Sequence, residues 1–592
     1  MGSAGFLNND EIKKNILAVQ QFIKDHKADA IYISSFDPYL NEYVPLEDCH
    51  RYYLTGFTGS TADVIIPAEG KVRLIVDGRY HEQVDQEVDL DLVEPYKRGQ
   101  DEMLYNCFKS IQTSLNANIL MIESTRTPLA FEQNFKSSYD EVISLNDELS
   151  EIIHFHSREK LPPINFVEQK FRGADTVEKL NKVVAAEEEA LFVTALDNLA
   201  WLANCRGYHL PFQSTFLGRG LATKNKLYIF VDSSTPISQE ALDQEHLEFK
   251  TINIQELPVV LKQICEDEGI AKIKYDAFLI NSYDYHLIAQ AVGEQNLLNE
   301  KDTVYAVQSL KDDQEIAEMV RSFEKSNQAI YETLKETKER IDNGERFSEV
   351  DLYDLCFSNY QKHGAVGLSF NTIPGIAANS SIIHYGNPSA DMTASLGDLI
   401  LLDSGAYYEG GFATDTTRTI TAGSSQTDVS PEAKKYYTLV LKGVLQTQNA
   451  EFSMGTLGKE VDVNARAALK EAGLDFAHGT GHGVGINVHE PGVRISTTSE
   501  IPMKPRQVTS IEPGYYVPGF GGIRIENVCY VVEKDNGLLG FENMTWIGYE
   551  PLLIDFSLLT QSEKQWIDEH ETECAKRGRS FFTSDDFEKL RS

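Results

Sequence analysis

The stretch Leu399–Thr419, LILLDSGAYYEGGFATDTTRT, carries the clearest structural signal in the chain. A short apolar run with the look of a buried strand ends at Asp403, and Asp415 follows twelve residues later. The turn residues in Tyr407–Gly411 predict a hairpin that brings the two carboxylates together. Two like charges at the mouth of a buried sheet repel each other unless a cation lies between them. Either aspartate alone would be interpreted as a solvated loop residue. Their interpretation as a site therefore depends on the other polar segments of the chain.

A second stretch, HGTGHGVGINVHE from His478 to Glu490, contains three of the 14 histidines, at positions 478, 482 and 489. Its alternating glycines allow the close backbone approach and unusual φ values that the floor of a site requires. A dinucleotide-binding GxGxxG loop is a weak interpretation, because its third glycine would fall on Val484 and no strand–turn–helix context surrounds it. A single histidine would more often be a hydrogen-bonded core residue, whereas three together favour a site.

Two glutamates complete the candidate set. Glu512 lies in SIEPGY, and Glu526 lies in GIRIEN, where isoleucines alternate with Arg524 and Glu526. This alternation predicts a strand that directs Glu526 to its polar face. Each glutamate alone would be interpreted as a surface residue.

Together these segments supply two aspartates, one histidine and two glutamates. Four carboxylates and one imidazole suit hard or borderline divalent ions, and two ions fit this set better than one. Two ions about 3.5–4 Å apart can hold a hydroxide between them, which is a nucleophile at neutral pH. The absence of cysteine ligands argues against structural zinc.

Composition excludes several broad classes of protein. The 592 residues carry a net charge of −36, from 54 basic and 90 acidic residues, which argues against a nucleic-acid scaffold. Hydrophobic residues make up 42% of the chain and aromatic residues 10%, so disorder is excluded as the main state. No apolar run approaches the roughly 18 residues that a membrane span requires. We expect a soluble globular protein.

The N-terminus and the cysteines indicate a cytoplasmic protein. No basic region followed by an apolar stretch opens the chain, so we expect no secretory signal. The seven cysteines are odd in number, include no CxxC pair and lie at least 45 residues apart. Reduced, buried thiols are therefore expected rather than disulfides or a zinc knuckle.

The first half of the chain contains a weak internal repeat. Ala28–Asp37 resembles Glu189–Asn198, and Lys71–Asp77 resembles Lys226–Asp232. The repeat predicts two similar α/β domains in tandem, with Leu161–Pro163 as the hinge. Chance likeness between short apolar strands is the alternative.

Helical periodicity appears near the N-terminus, at the start of the third region and at the end of the chain. A long helix closed by Asn343–Gly344 is predicted after Lys311, followed by strand-like runs and glycine turns to about Pro551. The last forty residues are polar and helix-prone, and we expect them on the surface or at a subunit contact. The apolar stripes of the first two helices are Ile12, Ile16, Leu17, Val19 and Ile23, and Ile316, Met319, Val320, Phe323, Ile330, Leu334 and Ile341.

Six segments now point to one family. In this order they resemble the motifs of the "pita-bread" metallopeptidases: LLDSGAYY, ATDTTRT, HGTGHGVG, NVHEPG, IEPGYY and GIRIENV. Over essentially its whole length the chain is similar to the large, three-domain form of aminopeptidase P (Xaa-Pro aminopeptidase). The resemblance implies an α/β (α+β) protein in which two tandem, similar α/β N-terminal domains precede a pita-bread (creatinase/aminopeptidase-like) catalytic domain. The expected domains are 1–160, 161–310 and 311–592, the last with a C-terminal helical extension at about 552–592.

The resemblance also implies a metal centre with two manganese ions. Asp415 and Glu526 would bridge the ions, Asp403 would complete one of them, and His482 with Glu512 would complete the other. The loop between the two aspartates is one residue longer than in the family pattern, which alters a turn and not a ligand.

Four further residues match positions that contact substrate in the family. His384 and His489 would contact the substrate and the developing oxyanion, and His478 would line the same pocket. Arg79, in VDGRY, would reach toward the bound peptide. Glu512 would act catalytically as well as ligate, by passing a proton to the leaving nitrogen.

The implied activity is hydrolysis of the N-terminal residue from peptides with proline in the second position, by attack of a metal-bridging hydroxide on the scissile carbonyl. The proline preference comes from the resemblance alone. The expected partners are such peptides, with no nucleic acid and no membrane, and we expect a homodimer.

Three alternatives stay open. One is a dipeptidase for Xaa-Pro, or a methionine aminopeptidase, of the same fold; the long N-terminal region and its two copies argue against both. Another is a catalytically inactive relative that binds peptides or histones, although all five ligand positions hold competent side chains. The last is a general acidic binding protein, which explains the charge but not the histidine cluster.

Overall fold

The computed structural model describes residues 5–99, 102–153, 160–425 and 428–591. The chain forms two compact units. The N-terminal unit runs to Gln308 without Gln169–Gly173, and the C-terminal unit contains that short segment and the chain from Ser309 onward. The domain boundaries near 160 and 310 stay a prediction. The expectation about a signal sequence concerns, among others, residues 1–4, which lie outside the described ranges.

The N-terminal unit begins with a six-stranded sheet of order β4-β3-β2-β1-β5-β6. Strand β1 pairs antiparallel with β2 and parallel with β5. The elements are α1 Asn9–Asp25, β1 Ala30–Ile33, α2 His50–Thr55, β2 Asp63–Pro67, β3 Val72–Val76, α3 His81–Glu87, β4 Val93–Lys97, α4 Leu104–Leu115, β5 Ile119–Glu123, α5 Leu129–Ser138, β6 Glu141–Leu145 and α6 Leu149–Ile152.

A second six-stranded sheet follows in the same unit, with order β12-β11-β10-β8-β13-β14. Its strand β8 pairs antiparallel with β10 and parallel with β13, as β1 does with its neighbours. The two tandem similar α/β folds expected from the repeat are therefore confirmed. The elements are β7 Asn165–Phe166, α7 Thr176–Val183, β8 Glu189–Val193, α8 Leu196–Ala203, β9 Cys205–Arg206, β10 Arg219–Ala222, β11 Leu227–Val231, α9 Gln239–Leu242, β12 Leu247–Thr251, α10 Leu257–Glu268, β13 Lys272–Tyr275, α11 Ser282–Val292, β14 Leu297–Asn299 and α12 Tyr305–Gln308.

Helix α1 shows how local sequence sets these elements. Asn8 caps its first turn and forms a capping box with Glu11. The predicted stripe is buried at Ile12, Ile16, Val19 and Ile23. Leu17, which the periodicity placed in the stripe, is 57% exposed, because it lies one residue past the buried line.

The C-terminal unit contains a three-stranded sheet, β16-β17-β19, and a five-stranded sheet, β21-β20-β22-β25-β26, besides two-stranded ribbons. Its elements are α13 Asp313–Asp342, α14 Glu349–Lys362, β15 Gly367–Leu368, β16 Ile373–Ile376, β17 Leu399–Ser404, β18 Ala406–Tyr407, β19 Thr416–Thr421, α15 Pro431–Gln448, α16 Gly458–Glu471, β20 Gly481–Gly483, β21 Glu490–Ile495, β22 Val508–Ile511, β23 Gly514–Val517, β24 Gly521–Arg524, β25 Asn527–Glu533, β26 Leu539–Asn543, α17 Gln561–Lys576 and α18 Ser584–Arg591.

The long helix α13 is confirmed. Asp312 caps it through a capping box with Glu315. The helix ends at Asp342, and the C-cap Asn343 is followed by Gly344, whose φ of 77° suits glycine. The expected strands follow, from β15 to β26, but the prediction was incomplete, since α14, α15 and α16 also lie between this helix and Pro551. Helix α15 buries one long face and starts behind the cap Ser430, with Pro431 in its first turn.

The C-terminal helices pack onto the core of their own unit. Ile567 of α17 and Leu590 of α18 belong to one buried cluster with Tyr437 of α15 and Leu553. No helix in the described ranges is both long enough and apolar enough to cross a membrane. All seven cysteines are buried, as expected.

Candidate metal centre

The predicted hairpin is present and brings Asp403 and Asp415 into one buried region. Strands β17 and β19 pair antiparallel, with Asp403 opposite Thr417 and Asp415 immediately before β19. Both aspartates are buried. Burial and the Glu526 carboxylate raise the pKa of Asp415, and the Asp403 carboxylate adds to the shift, as expected for two like charges in one region.

The glycine-rich segment forms strand β20, which carries His482. A β-carbon at Gly481 would collide with the carbonyl oxygen of Ser510, and one at Gly483 would collide with that of Glu490. Glycine at both positions therefore lets β20 lie close to its neighbours while His482 points out between them.

The orientation of His482 is set by its own strand. Its Nδ1 lies 3.0 Å from the carbonyl oxygen of Gly483, which can only accept a hydrogen bond, so Nδ1 carries the proton. Its Nε2 lies 3.5 Å from Oδ2 of Asp415 and 3.4 Å from Oε1 of Glu512. The lone pair of the imidazole thus faces two carboxylates, which is the arrangement of a metal-binding histidine.

Glu526 reaches the same place by a route that the sequence did not predict. Strand β24 ends at Arg524 and β25 begins at Asn527, so Glu526 lies in a break between strands rather than in one. Both Ile525 and Glu526 are buried, because the turn sends the isoleucine into the core and the carboxylate into the cluster. The prediction of a polar strand face for Glu526 is wrong. The Oγ1 of Thr417 donates to its Oε2 at 3.0 Å.

The acidic groups form one cluster. Ligand atoms of Asp415, His482 and Glu526 all lie within 4.8 Å of one another. Burial and neighbouring carboxylates raise the pKa values of Asp415 and Glu526 well above their usual range. Burial also raises the pKa of Glu512 to about 7, with Asp403 adding to the shift and Arg524 opposing it.

Arg524 is a buried cation beside Asp403, and the sequence did not predict this role for it. Its Nη2 donates to Oδ2 of Asp403 at 2.6 Å, and its Nη1 donates to the hydroxyl of Tyr516 at 2.8 Å. The available signal was its position in GIRIEN, two residues before Glu526, combined with the repulsion expected between the aspartates.

The donor set fits divalent metal ions. Oδ1 of Asp403 and Oε1 of Glu526 are buried and have no hydrogen-bond partner among the described residues. One guanidinium cannot balance four carboxylates, so the cluster has an excess of negative charge. Oxygen ligands with a single imidazole match the preferences of ions such as Mn²⁺.

Two of the other predicted histidines lie at the cluster. The rings of His489 and His482 have centroids 4.3 Å apart. Nε2 of His478 accepts a hydrogen bond at 2.8 Å from the hydroxyl of Tyr516, the same hydroxyl that Arg524 contacts.

The remaining two predicted residues are His384 and Arg79. The contacts of the segment before His384 locate that residue near β24, whereas Arg79 lies in the other unit. His384 follows a short helical turn in which Oγ of Ser380 accepts a hydrogen bond from the N–H of Gly522 at 2.8 Å, so its segment is attached to β24. Arg79 lies in the N-terminal unit, where it binds Asp77 through Nε and Nη2. The substrate contacts of both residues stay predictions.

The acidic cluster and the fold together define the class of this protein as a metalloenzyme. Two similar α/β folds precede the unit that carries the cluster. Residues 318–533 match the metallopeptidase family M24, and 537–590 match the C-terminal region of that peptidase. Residues 16–153 and 157–315 each match the creatinase/prolidase N-terminal domain.

Similar full-length proteins agree with these matches. A probable Xaa-Pro aminopeptidase P of Botryotinia fuckeliana is 30% identical, over 97% of this chain and 91% of the relative. One of Metarhizium acridum is 31% identical over 96% of both. The chain therefore belongs to metallopeptidase family M24, as the resemblance implied.

A solved structure shows the same fold. The X-prolyl aminopeptidase from Caenorhabditis elegans, described as a cytosolic enzyme with a di-nuclear active site, superposes with a TM-score of 0.86. It is 24% identical and covers 98% of each chain. The fold class is confirmed.

Proposed function

We propose that this protein is a metal-dependent aminopeptidase that hydrolyses the N-terminal residue from peptides with proline in the second position. The observation that carries the proposal is the convergence of Asp415, His482 and Glu526 within 4.8 Å at a buried site with excess negative charge. The relatives that match over nearly their whole length are named probable Xaa-Pro aminopeptidase P, and these names supply the proposed substrate class.

The ligands of two divalent ions would be Asp403, Asp415, His482, Glu512 and Glu526. The di-nuclear site in the name of the C. elegans enzyme supports two ions, and the oxygen-rich donor set favours manganese. When bound, such ions polarise a carbonyl and supply a nucleophile at neutral pH.

The chain's own residues would do the remaining work. His489 and His384 would donate hydrogen bonds to the oxygen that gains charge on the scissile carbonyl. Glu512 would pass a proton to the leaving nitrogen. That nitrogen belongs to proline and has no N–H, so recognition must come from the shape of the ring rather than from a donor contact. His478 would line the pocket and Arg79 would contact the peptide.

Hydrolysis of three matched peptides tests the proposal. We expect release of residue one from Xaa-Pro-Xaa with Mn²⁺, little release from Xaa-Ala-Xaa, and loss of activity with a chelator. Preference for the dipeptide Xaa-Pro over the tripeptide would establish the dipeptidase alternative. No turnover by protein that holds metal would favour the inactive relative.

Metal identity and assembly are tested separately. Reconstitution of metal-free protein with Mn²⁺, Co²⁺, Zn²⁺ or Mg²⁺ should give the highest kcat with Mn²⁺. We also propose a cytoplasmic homodimer; the name of the C. elegans enzyme supports the location, and the homodimer rests on the family resemblance alone. Light scattering of the purified protein measures the assembly directly, and a monomer mass would contradict it.

A further inference from the structure

Arg418 is a buried arginine that the catalytic proposal does not use. It lies in β19 and its side chain is 1% exposed. Its Nη1 donates to the carbonyl oxygen of Glu526 at 2.5 Å and to that of Thr417 at 3.0 Å. Its Nη2 donates to Oδ1 of Asn527 at 2.8 Å and to the carbonyl oxygen of Ile547 at 2.9 Å.

All four acceptors are neutral oxygens, which is unusual for a guanidinium this deep in a protein. A buried arginine is ordinarily compensated by a carboxylate, since desolvation of its charge is costly. Two of the acceptors belong to the Glu526–Asn527 turn between β24 and β25, where the chain leaves strand geometry. The planar fork of Arg418 therefore fixes the main chain that carries the Glu526 carboxylate.

Helix α17 contacts one of the acceptors of Arg418, the carbonyl oxygen of Ile547. Nε2 of His570 lies 3.0 Å from the carbonyl oxygen of Ile547, which also accepts from Arg418. The imidazole stacks on the ring of Tyr549, with centroids 4.5 Å apart. Glu571, the next residue of α17, accepts a hydrogen bond at 2.7 Å from the N–H of Tyr549. Helix α17 thus positions the segment that presents Ile547 to Arg418.

We propose that Arg418 is a positioning residue for Glu526 and that helix α17 influences the metal centre through it. The inference rests on the proposed function, because it takes Glu526 as a metal ligand. Groups that orient a ligand commonly change metal affinity by about 10–100-fold when they are replaced. Because coupling between two sites is reciprocal, metal binding should in turn stabilise α17.

The first test is a metal titration of the full-length Arg418→Lys variant, which keeps the positive charge but loses the planar fork. We expect Mn²⁺ to bind about 10–100-fold more weakly by calorimetry, with a matching rise in the Mn²⁺ concentration for half-maximal activity. Saturating Mn²⁺ should restore most of kcat, since the reacting groups are unchanged.

Arg579→Lys is the matched control. Arg579 is also buried and lies in the C-terminal region, but its side chain donates to Glu324 and Gln328 of α13 and, within the described ranges, makes no hydrogen bond to the Glu526 turn. Its main-chain carbonyl accepts from the N–H of Gly548, and the substitution keeps that bond. Its variant should bind Mn²⁺ as the unchanged protein does. Equal loss of affinity in both variants, or normal affinity in Arg418→Lys, would overturn the proposal.

A second route tests the helix itself. His570→Phe keeps the stacked ring but removes the hydrogen bond to Ile547, so Mn²⁺ affinity should fall several-fold. In the unchanged protein, removal of Mn²⁺ should speed amide hydrogen exchange in α17 while α11 of the N-terminal unit stays the same. If Arg418→Lys fails to fold, these two measurements decide; unchanged affinity and unchanged exchange contradict the coupling. If the unchanged protein binds no divalent ion, the proposed function fails instead.

Discussion

Buried acids are paired differently in the two units of this protein. In the N-terminal unit, Oε1 of Glu132 lies 2.8 Å from Nζ of Lys136, and Oγ of Ser282 donates to the same carboxylate. In the C-terminal unit, four carboxylates gather around one guanidinium, that of Arg524.

The acidities of the two places differ accordingly. Burial alone would raise the pKa of Glu132, but its interactions with His286, Lys136 and Ser282 lower that pKa to about 2. Burial and like charges instead raise the pKa of Glu512 to about 7. An acid with its own donors is a structural element, whereas surplus acids mark a place where positive charge must come from outside the chain.

Of these substitutions, Asp415→Asn should cause the largest loss of activity. Loss of a carboxylate that we propose as a metal ligand should remove several kcal/mol of transition-state stabilisation, so kcat/KM on Xaa-Pro-Xaa should fall about a thousand-fold or more. Bound metal should fall with it, while the metal-free variant stays as stable as the unchanged protein, because one repelling charge is gone. Glu409→Gln, in the same hairpin but paired with Lys325 at the surface, should keep its activity.

The metal-free protein should have an unusual pH dependence of stability. The folded pKa of Glu512 is raised from 4.5 to about 7, so its contribution to stability is fully present below pH 4.5 and is lost as pH rises through 7. Asp415 and Glu526 are shifted in the same direction. The free energy of unfolding in urea should therefore decrease between pH 4.5 and 7 with chelator.

Saturating Mn²⁺ should remove most of this decrease, because the ions replace the protons. Burial also raises the pKa of Glu571 to about 7. The contribution of Glu571 to stability is the same with and without metal, so it cancels in the difference. The same slope in both conditions would contradict the assignment of the cluster as a metal centre.

Tyr516→Phe should have a smaller effect. Its hydroxyl connects Arg524 to His478, so its loss loosens the group that orients Asp403. We expect kcat/KM to fall about tenfold. Tyr515→Phe is the neighbouring control, since that ring packs on Tyr436 and its hydroxyl has no hydrogen bond among the described residues. Equal losses in both variants would assign the effect to packing alone.

Glu132→Gln should have the smallest effect and should leave activity unchanged. Its folded pKa is about 2 against 4.5, so its contribution to stability is present above pH 4.5 and is lost as pH falls toward 2. The variant should be less stable by about 1 kcal/mol at pH 7 and by less at pH 3, where part of the contribution has been lost. Urea unfolding at both values measures this. Glu141→Gln, an exposed acid of β6, should show neither change.

Much of the fold and site could be predicted because the signals are local. The hairpin around Asp403 and Asp415 and the glycines beside His482 each lie within about a dozen residues, and each copy of the repeat is a short segment that can be compared directly with the other. Helix α15 also has local signals, namely the cap Ser430, Pro431 in the first turn and its apolar spacing.

The rest depends on contacts between distant residues. Alternation around Ile525 predicted a strand, and only the packing of the core shows why the chain turns before Glu526. Arg418 and Ile547 are 129 residues apart, so no local pattern links them. The roles of the five ligands stay predictions until metal is measured.

The burial of all seven thiols has a practical consequence. Burial raises the pKa of both Cys107 and Cys265 to about 11, so neither is a thiolate at neutral pH. A single new cysteine at Val463, which is 63% exposed on α16, would be the one thiol open to a maleimide dye or a spin label. Spectroscopy of the working enzyme could then begin without first deleting any native sulfur.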